Sequence, residues 1–241
     1  MGDSPLSTTF KDASGGIQRR AIPATDILST EKDLAVIEQW LWEYVSAPHP
    51  ELGRSGPVCP FVPPAMNNNL VQFSLRYDVD NNKFESIYTV IQNEMSDFGI
   101  TAKPAPNSGA SLESRLVVFP LLGEEGCRRL DEHYTALKNE AVESGLMIGQ
   151  FHPYCDERAV RNQNFRVSIS PIPFLAMRRM APHDVLFLHE ERNWFENYHQ
   201  NFSSHHERGR VRDPLLRKLH LAGETEYGLE TSNESERRRK E

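Results

Sequence analysis

Three short stretches carry side chains able to do chemistry. The first is Val58-Cys59-Pro60-Phe61. A cysteine before a proline, in a segment with little helical tendency, offers a thiol. Deprotonated, it can be a nucleophile, a soft metal ligand or a haem-iron ligand, and nearby cations favour that form. The second is Gly149-Gln150-Phe151-His152-Pro153, where an apolar run stops at a histidine. Imidazole titrates near neutrality and serves as general base or ligand. Pro153 biases His152 to extended backbone, which fixes where the ring points. The third runs from Ser168 to Arg179. With Arg161 and Arg166 upstream, its two guanidiniums, Arg178 and Arg179, can grip a carboxylate or phosphate through paired hydrogen bonds.

Plainer roles compete with each of these. A free cysteine often packs as a small hydrophobe, and Cys127, in a helical apolar stripe, is expected to do so. A strand-end histidine can simply hydrogen-bond backbone. Surface solvation is the expectation for Arg161 and Arg178. Cys155 stands three residues after His152, which is half a zinc site at best, with Cys59 the remaining candidate ligand, so no metal centre is assigned. His183, His189, His199, His205 and His206 crowd the C-terminal third. "HEERN" lacks the second histidine of the zinc-protease motif, and "SSHHERGR" is polar without periodicity and reads as a solvated loop. Neither a P-loop nor a dinucleotide fingerprint is present. The cofactor is left open.

These residues need elements to hold them. Thr30 reads as the N-cap of a helix whose apolar face is Leu34, Ile37, Trp40, Leu41, Tyr44 and Val45. "LVQFSLRYDV" alternates as a strand, and "KFESIYTVIQNEMSDFGI" is helical. "SRLVVFPLL" suits a central strand. "GEEGCRRLDEHYTALKNEAVESG" is the clearest helix, with Gly145 at its end. "LMIGQF" and "FRVSIS" read as strands, "PIPFLAMRRM" as a Pro-initiated helical turn, "HDVLFLHEERNWFENYHQNF" as one helix and "DPLLRKLHLAGE" as a last short one. The pattern predicts an α/β (α+β) sandwich, about four strands packed with helices, in a single domain over 29–228. Residues 1–28 and 229–241 read as a disordered arm and tail. Ligands in such sheets gather at the strand ends.

Composition limits the partners. Lys plus Arg number 27 and Asp plus Glu 34, a net charge of −7. Mean hydropathy is −0.57 and the pI is near 5.8. An acidic chain lacks the general attraction to phosphate backbones, so nucleic acid is not the expected partner. No run approaches the ~18 apolar residues of a membrane span. The opening stretch has neither a basic n-region nor an apolar h-region, and Leu6 stands where an N-myristoylation motif needs Ser or Thr. A cytoplasmic protein with free thiols is expected.

Taken in order, Cys59-Pro60-Phe61, Phe151-His152-Pro153 and Ser170-Pro171-x-Pro173 leading to Arg179 resemble a family of uncharacterised domains. That family is marked by Cys-Pro-Phe after an amphipathic helix, Phe-His-Pro ending a strand, and Asn-Arg-Ser-Pro-aromatic-Pro before an arginine. The likeness runs from about Trp40 to Leu188. This chain departs from the pattern where Ser168 and Ile169 replace the Asn-Arg pair, Ile172 the aromatic residue, and Ala176 a histidine frequent in relatives. Arg166 is the guanidinium able to stand in for the missing one. The family has no assigned reaction, so the resemblance supplies positions rather than a mechanism. It implies a setting among specialised-metabolite genes.

The resulting expectation is an enzyme of specialised-metabolite biosynthesis acting on a small anionic molecule. Cys59 and His152 would do the chemistry, and Arg166, Ser170 and Arg179 would bind the substrate in one cavity at the sheet edge. One alternative is a metal- or haem-dependent oxidoreductase with Cys59 thiolate as ligand. Another is a non-catalytic protein partner presenting Trp40, Trp42 and Trp194.

Overall fold

The computed structural model describes residues 24–101 and 112–229. In chain order, α1 (Ala24–Trp40) continues into a π-helical turn (Leu41–Val45) and is followed by α2 (Val62–Asn67). Next come β1 (Val71–Leu75), α3 (Ile87–Thr101), β2 (Ser114–Val118), α4 (Glu124–Glu143) and β3 (Leu146–Phe151). A small hairpin, β4 (Arg158–Ala159) and β5 (Asn162–Arg166), precedes β6 (Phe174–Arg179). Helices α5 (Val185–Leu188), α6 (Arg192–Glu207) and α7 (Pro214–Tyr227) close the described chain.

Four strands form one mixed sheet in the order β1-β2-β6-β3. β1 and β2 are parallel, and β6 lies antiparallel between β2 and β3. β1, β2 and β3 therefore run the same way, and their C-terminal ends share one edge. Alternation along the strands builds two cores. On one face Val117, Ile148, Leu175 and Met177 meet Ile91, Met95 and Phe98 of α3 and Leu130, Leu137 and Ala141 of α4. On the other, Leu116, Val118 and Phe174 meet Ile37 and the π-turn's Leu41 and Val45. A third cluster gathers Val142, Met147 and Met180 with Val185, Phe195, Tyr198, Phe202 and Leu216 of the last three helices. Each such fully buried apolar side chain contributes roughly 1.5–3 kcal/mol. The fold is α+β, a mixed sheet packed against helices.

The structure corrects several local expectations. α1 begins at Ala24, so Thr30 lies inside the helix, buried, rather than capping it. The stretch "FLAMRR" is the central strand β6, although Leu, Ala, Met and Arg favour helices. It is buried on both faces, so no period-2 pattern shows. "FRVSIS" supplies only the end of β5, outside the main sheet. The single helix expected over 183–202 is broken between α5 and α6, and "SSHHERGR" is helical up to Glu207 with Ser203 buried. The disordered ends expected at 1–28 and 229–241 lie mostly outside the described residues, and α1 already occupies 24–28. Among the described residues no helix is long and apolar enough to cross a membrane.

Candidate functional site

Strand alternation places the histidine. Leu146, Ile148 and Gln150 face α4, and His152, one residue past the strand, continues that side. Gln150 Nε2 donates to Asp131 Oδ1 at 2.9 Å, and His152 Nε2 lies 3.0 Å from the same oxygen. A carboxylate accepts, so Nε2 carries the hydrogen. Nδ1 is buried with no hydrogen-bond partner. The backbone is pinned as well. His152 N–H donates to Ser168 O at 3.3 Å, and its carbonyl accepts from Cys155 N at 3.1 Å and Ser170 N at 3.4 Å.

His152 has no solvent exposure, whereas Asp131 is 44% exposed. The carboxylate, not the imidazole, reaches solvent, on the wall of a cleft of about 450 Å³ lined by Glu124, Glu125, Arg128, Asp131 and Tyr154. Arg128 is paired with Glu125 and Glu132. Arg166 and Ser170 frame the same turn. Arg166 Nε donates to Cys155 O at 3.0 Å, and the buried Ser170 Oγ donates to Ile172 O at 2.8 Å. Cys155 is buried with its Sγ 3.8 Å from Gln150 O, and burial pushes its thiol up to about 11.

Arg179 and Cys59 stand elsewhere. Arg179 pairs with Leu146, the first residue of β3, while Phe151 pairs with Phe174. Five residues separate the two ends, about 17 Å along the strand. The Arg179 guanidinium donates to Gly99 O at 2.7 Å, beside α3. Cys59 packs on the opposite face with Ile37, Leu41 and Val45, and its N–H donates to Val45 O at 3.0 Å. Its charged neighbour is Arg178, whose guanidinium sits 4.4 Å from the Phe61 ring centre. Cys59 and His152 thus occupy opposite faces and opposite ends of the sheet, and the single cavity expected for Cys59, His152 and Arg179 is not formed. The antiparallel β6 is the cause, because it carries its terminal arginines to the edge where β1, β2 and β3 begin. The Cys–His pairing falls with that cavity.

Arg178, expected to be solvated, is instead held by the buried Asp184. Asp131, the partner of His152, was not singled out from the sequence. Its one signal was position, since it follows Cys127 by four residues and so shares the sheet-facing side of α4. Cys127 packs in the core as expected. Of the three tryptophans, the half-buried Trp40 meets Phe151 and Phe174 edge to face, and Trp194 Nε1 donates to Asn139; Trp42 is exposed.

A family model, described as a domain of unknown function (DUF6875), matches residues 34–213 of the chain. The chain belongs to that family. The matched residues hold the whole four-stranded sheet, the His152 turn and the Cys59 loop. No curated protein and no solved structure matches the chain. Among the described residues, the metal-competent trio of donors is not at Cys59 or His152. It lies on α6 and α7, at His199, His220 and Glu224.

Proposed function

We propose that the chain is an enzyme of specialised-metabolite biosynthesis whose site is the cleft at the carboxyl edge of β3. Asp131 is the group that takes a proton from a substrate O–H or N–H, and His152 positions it. The carrying observation is that a fully buried imidazole directs its Nε2 hydrogen to a half-exposed carboxylate on the cleft wall. Gln150 fastens the same Oδ1. A general base needs this fixed geometry within hydrogen-bond reach of its substrate, and a strand end in a sheet of this kind is a usual place for one. The metabolic setting rests on the motif resemblance.

The anionic substrate expected from the arginines finds little support at this cleft. Arg178 is held by Asp184 and Arg179 by Gly99, both distant from it. The lining offers three carboxylates against one guanidinium, and the exposed Tyr154 ring offers a face to a cation. A small cationic molecule, such as an amine, fits better.

The test is a thermal-shift panel of small amines and carboxylates, with untargeted mass spectrometry of cells producing the wild-type chain, Asp131→Asn or His152→Asn. The expected result is an amine that stabilises the wild type and a metabolite change that both variants abolish while remaining folded. A carboxylate ligand, or a metabolite change that Asp131→Asn leaves intact, would overturn the reading.

A further inference from the structure

We propose that His199, His220 and Glu224 form a binding site for one divalent transition-metal ion of the zinc class, clamping α7 to α6. His220 and Glu224 are one turn apart on α7 and so share a face; His199 comes from α6. His199 Nε2 lies 3.1 Å from Glu224 Oε1, and His220 Nδ1 lies 3.6 Å from Glu224 Oε2. One donor atom from each residue falls within 4.8 Å of the others. Donors bound at ~2.1 Å around a tetrahedral ion sit about 3.4 Å apart, so a small inward movement completes the geometry.

Hydrogen bonding alone explains only part of this arrangement. The His199–Glu224 contact is a hydrogen bond, but 3.6 Å is too long for one between His220 and Glu224. His220 Nε2 is buried with no partner at all. A side chain 5% exposed, with neither ring nitrogen well bonded, costs stability unless something else engages it. A cation between the three donors engages Nδ1, the nitrogen that faces Glu224. The carboxylate side chain is itself only 11% exposed, which favours neutralisation by a bound ion.

The rings are held ready. His206 stacks on His220 at 3.8 Å between ring centres, tilted by 6°. His206 Nε2 lies 2.8 Å from Tyr198 Oη, which donates to Pro182 O at 2.7 Å. With its own hydrogen given to Pro182, the tyrosine accepts from His206. Two imidazoles and one carboxylate are a donor set that zinc accepts with water in the fourth position, and neighbouring divalent ions compete for it. Two of the three donors lie beyond the 34–213 segment that the family model matches.

The full chain, stripped with a chelator, would be titrated with Zn²⁺ by calorimetry and with Co²⁺ by visible spectroscopy. The expected result is one equivalent of Zn²⁺, a rise in melting temperature at saturation, and cobalt bands of low-coordinate geometry. Glu224→Gln and His220→Asn should each weaken Zn²⁺ binding at least 100-fold, while His189→Gln leaves it unchanged. Glu224→Gln keeps an acceptor for His199 and so preserves the fold. Circular dichroism would confirm folding of each variant. Absence of Zn²⁺ binding to the wild type, or affinity equal in the wild type and folded Glu224→Gln, would overturn the site.

Discussion

Asp184 grips Arg178 with both carboxylate oxygens from a position without solvent exposure. Arg178 Nη1 meets Oδ2 at 2.8 Å and Nη2 meets Oδ1 at 2.6 Å, and Ala181 N–H adds a third bond at 2.7 Å. Burial works against the guanidinium's charge, but the Asp184 carboxylate outweighs it and holds the group firmly protonated. The pair joins the end of β6 to the turn that starts the helical C-terminal part. Removing one partner of such a buried pair leaves an uncompensated charge, which typically costs about 3–5 kcal/mol. Asp184→Ala is therefore expected to lower the melting temperature by roughly 10 °C. Asp184→Leu with Arg178→Met should lose clearly less than the two single changes added together. Calorimetric melting of the four proteins checks this, and additive losses would refute the pairing.

The three thiols should differ sharply in reactivity. Cys155 and Cys127 are buried, and burial pushes their thiols up to about 11 and about 12. Cys59 is half-buried, near the Arg178 guanidinium. Only thiolate attacks a disulfide reagent. At pH 8 the native protein should release one equivalent of chromophore from an aromatic disulfide, and Cys59→Ser should release none until denaturant is added. Two or more equivalents from the native wild type would contradict the burial.

Gly223 decides how closely α7 approaches α6. A Cβ at this position would meet the Phe195 ring at 2.5 Å. Alanine in an open helical site gains about 1 kcal/mol over glycine. Here the ring cannot yield, because Phe195 is fully buried among Tyr198, His220 and Tyr227. Overpacking of this kind costs about 1–3 kcal/mol and wins. Gly223→Ala should lower the melting temperature by several degrees, and a rise would show that the helices are not in contact as described.

The residues that could be read in advance were those whose pattern is local. α3, α4 and β1 to β3 follow from periodicity, and β3's end at His152 follows from the stop of an apolar run. What could not be read was non-local. The run Phe174 to Arg179 carries helix-forming residues, and only its insertion between β2 and β3 makes it a strand. That insertion sends Arg179 to the far edge and separates it from His152. The face on which Cys59 lies is likewise set by packing against α1, which no spacing in the sequence encodes. The polar stretch around His205 read as a loop because the buried side of α6 there is made of Ser203 and histidines rather than aliphatic residues.

His152 should prove dispensable for folding and necessary for function. Its Nε2 bond goes to a carboxylate 44% exposed to water, and a hydrogen bond to a charged group is worth about 1.5–3 kcal/mol, toward the low end where water reaches the acceptor. Against this stands Nδ1, buried without a partner, at a cost of about 1–3 kcal/mol. The two nearly cancel. Leucine has a similar volume, brings no polar atom into the pocket, and leaves the backbone bonds to Ser168, Ser170 and Cys155 in place. The freed Asp131 still keeps its Gln150 bond and its exposure to solvent. His152→Leu should thus melt within ~3 °C of the wild type or above it, a shift of about 1 kcal/mol or less. The same variant should lose the metabolite change produced by the wild type, because Asp131 loses the donor that orients it. A buried residue that adds little stability while it holds a carboxylate on a cleft wall is what a functional role predicts. A drop of about 8 °C or more would instead mark His152 as a structural element of the turn and remove the main support for the cleft as the site.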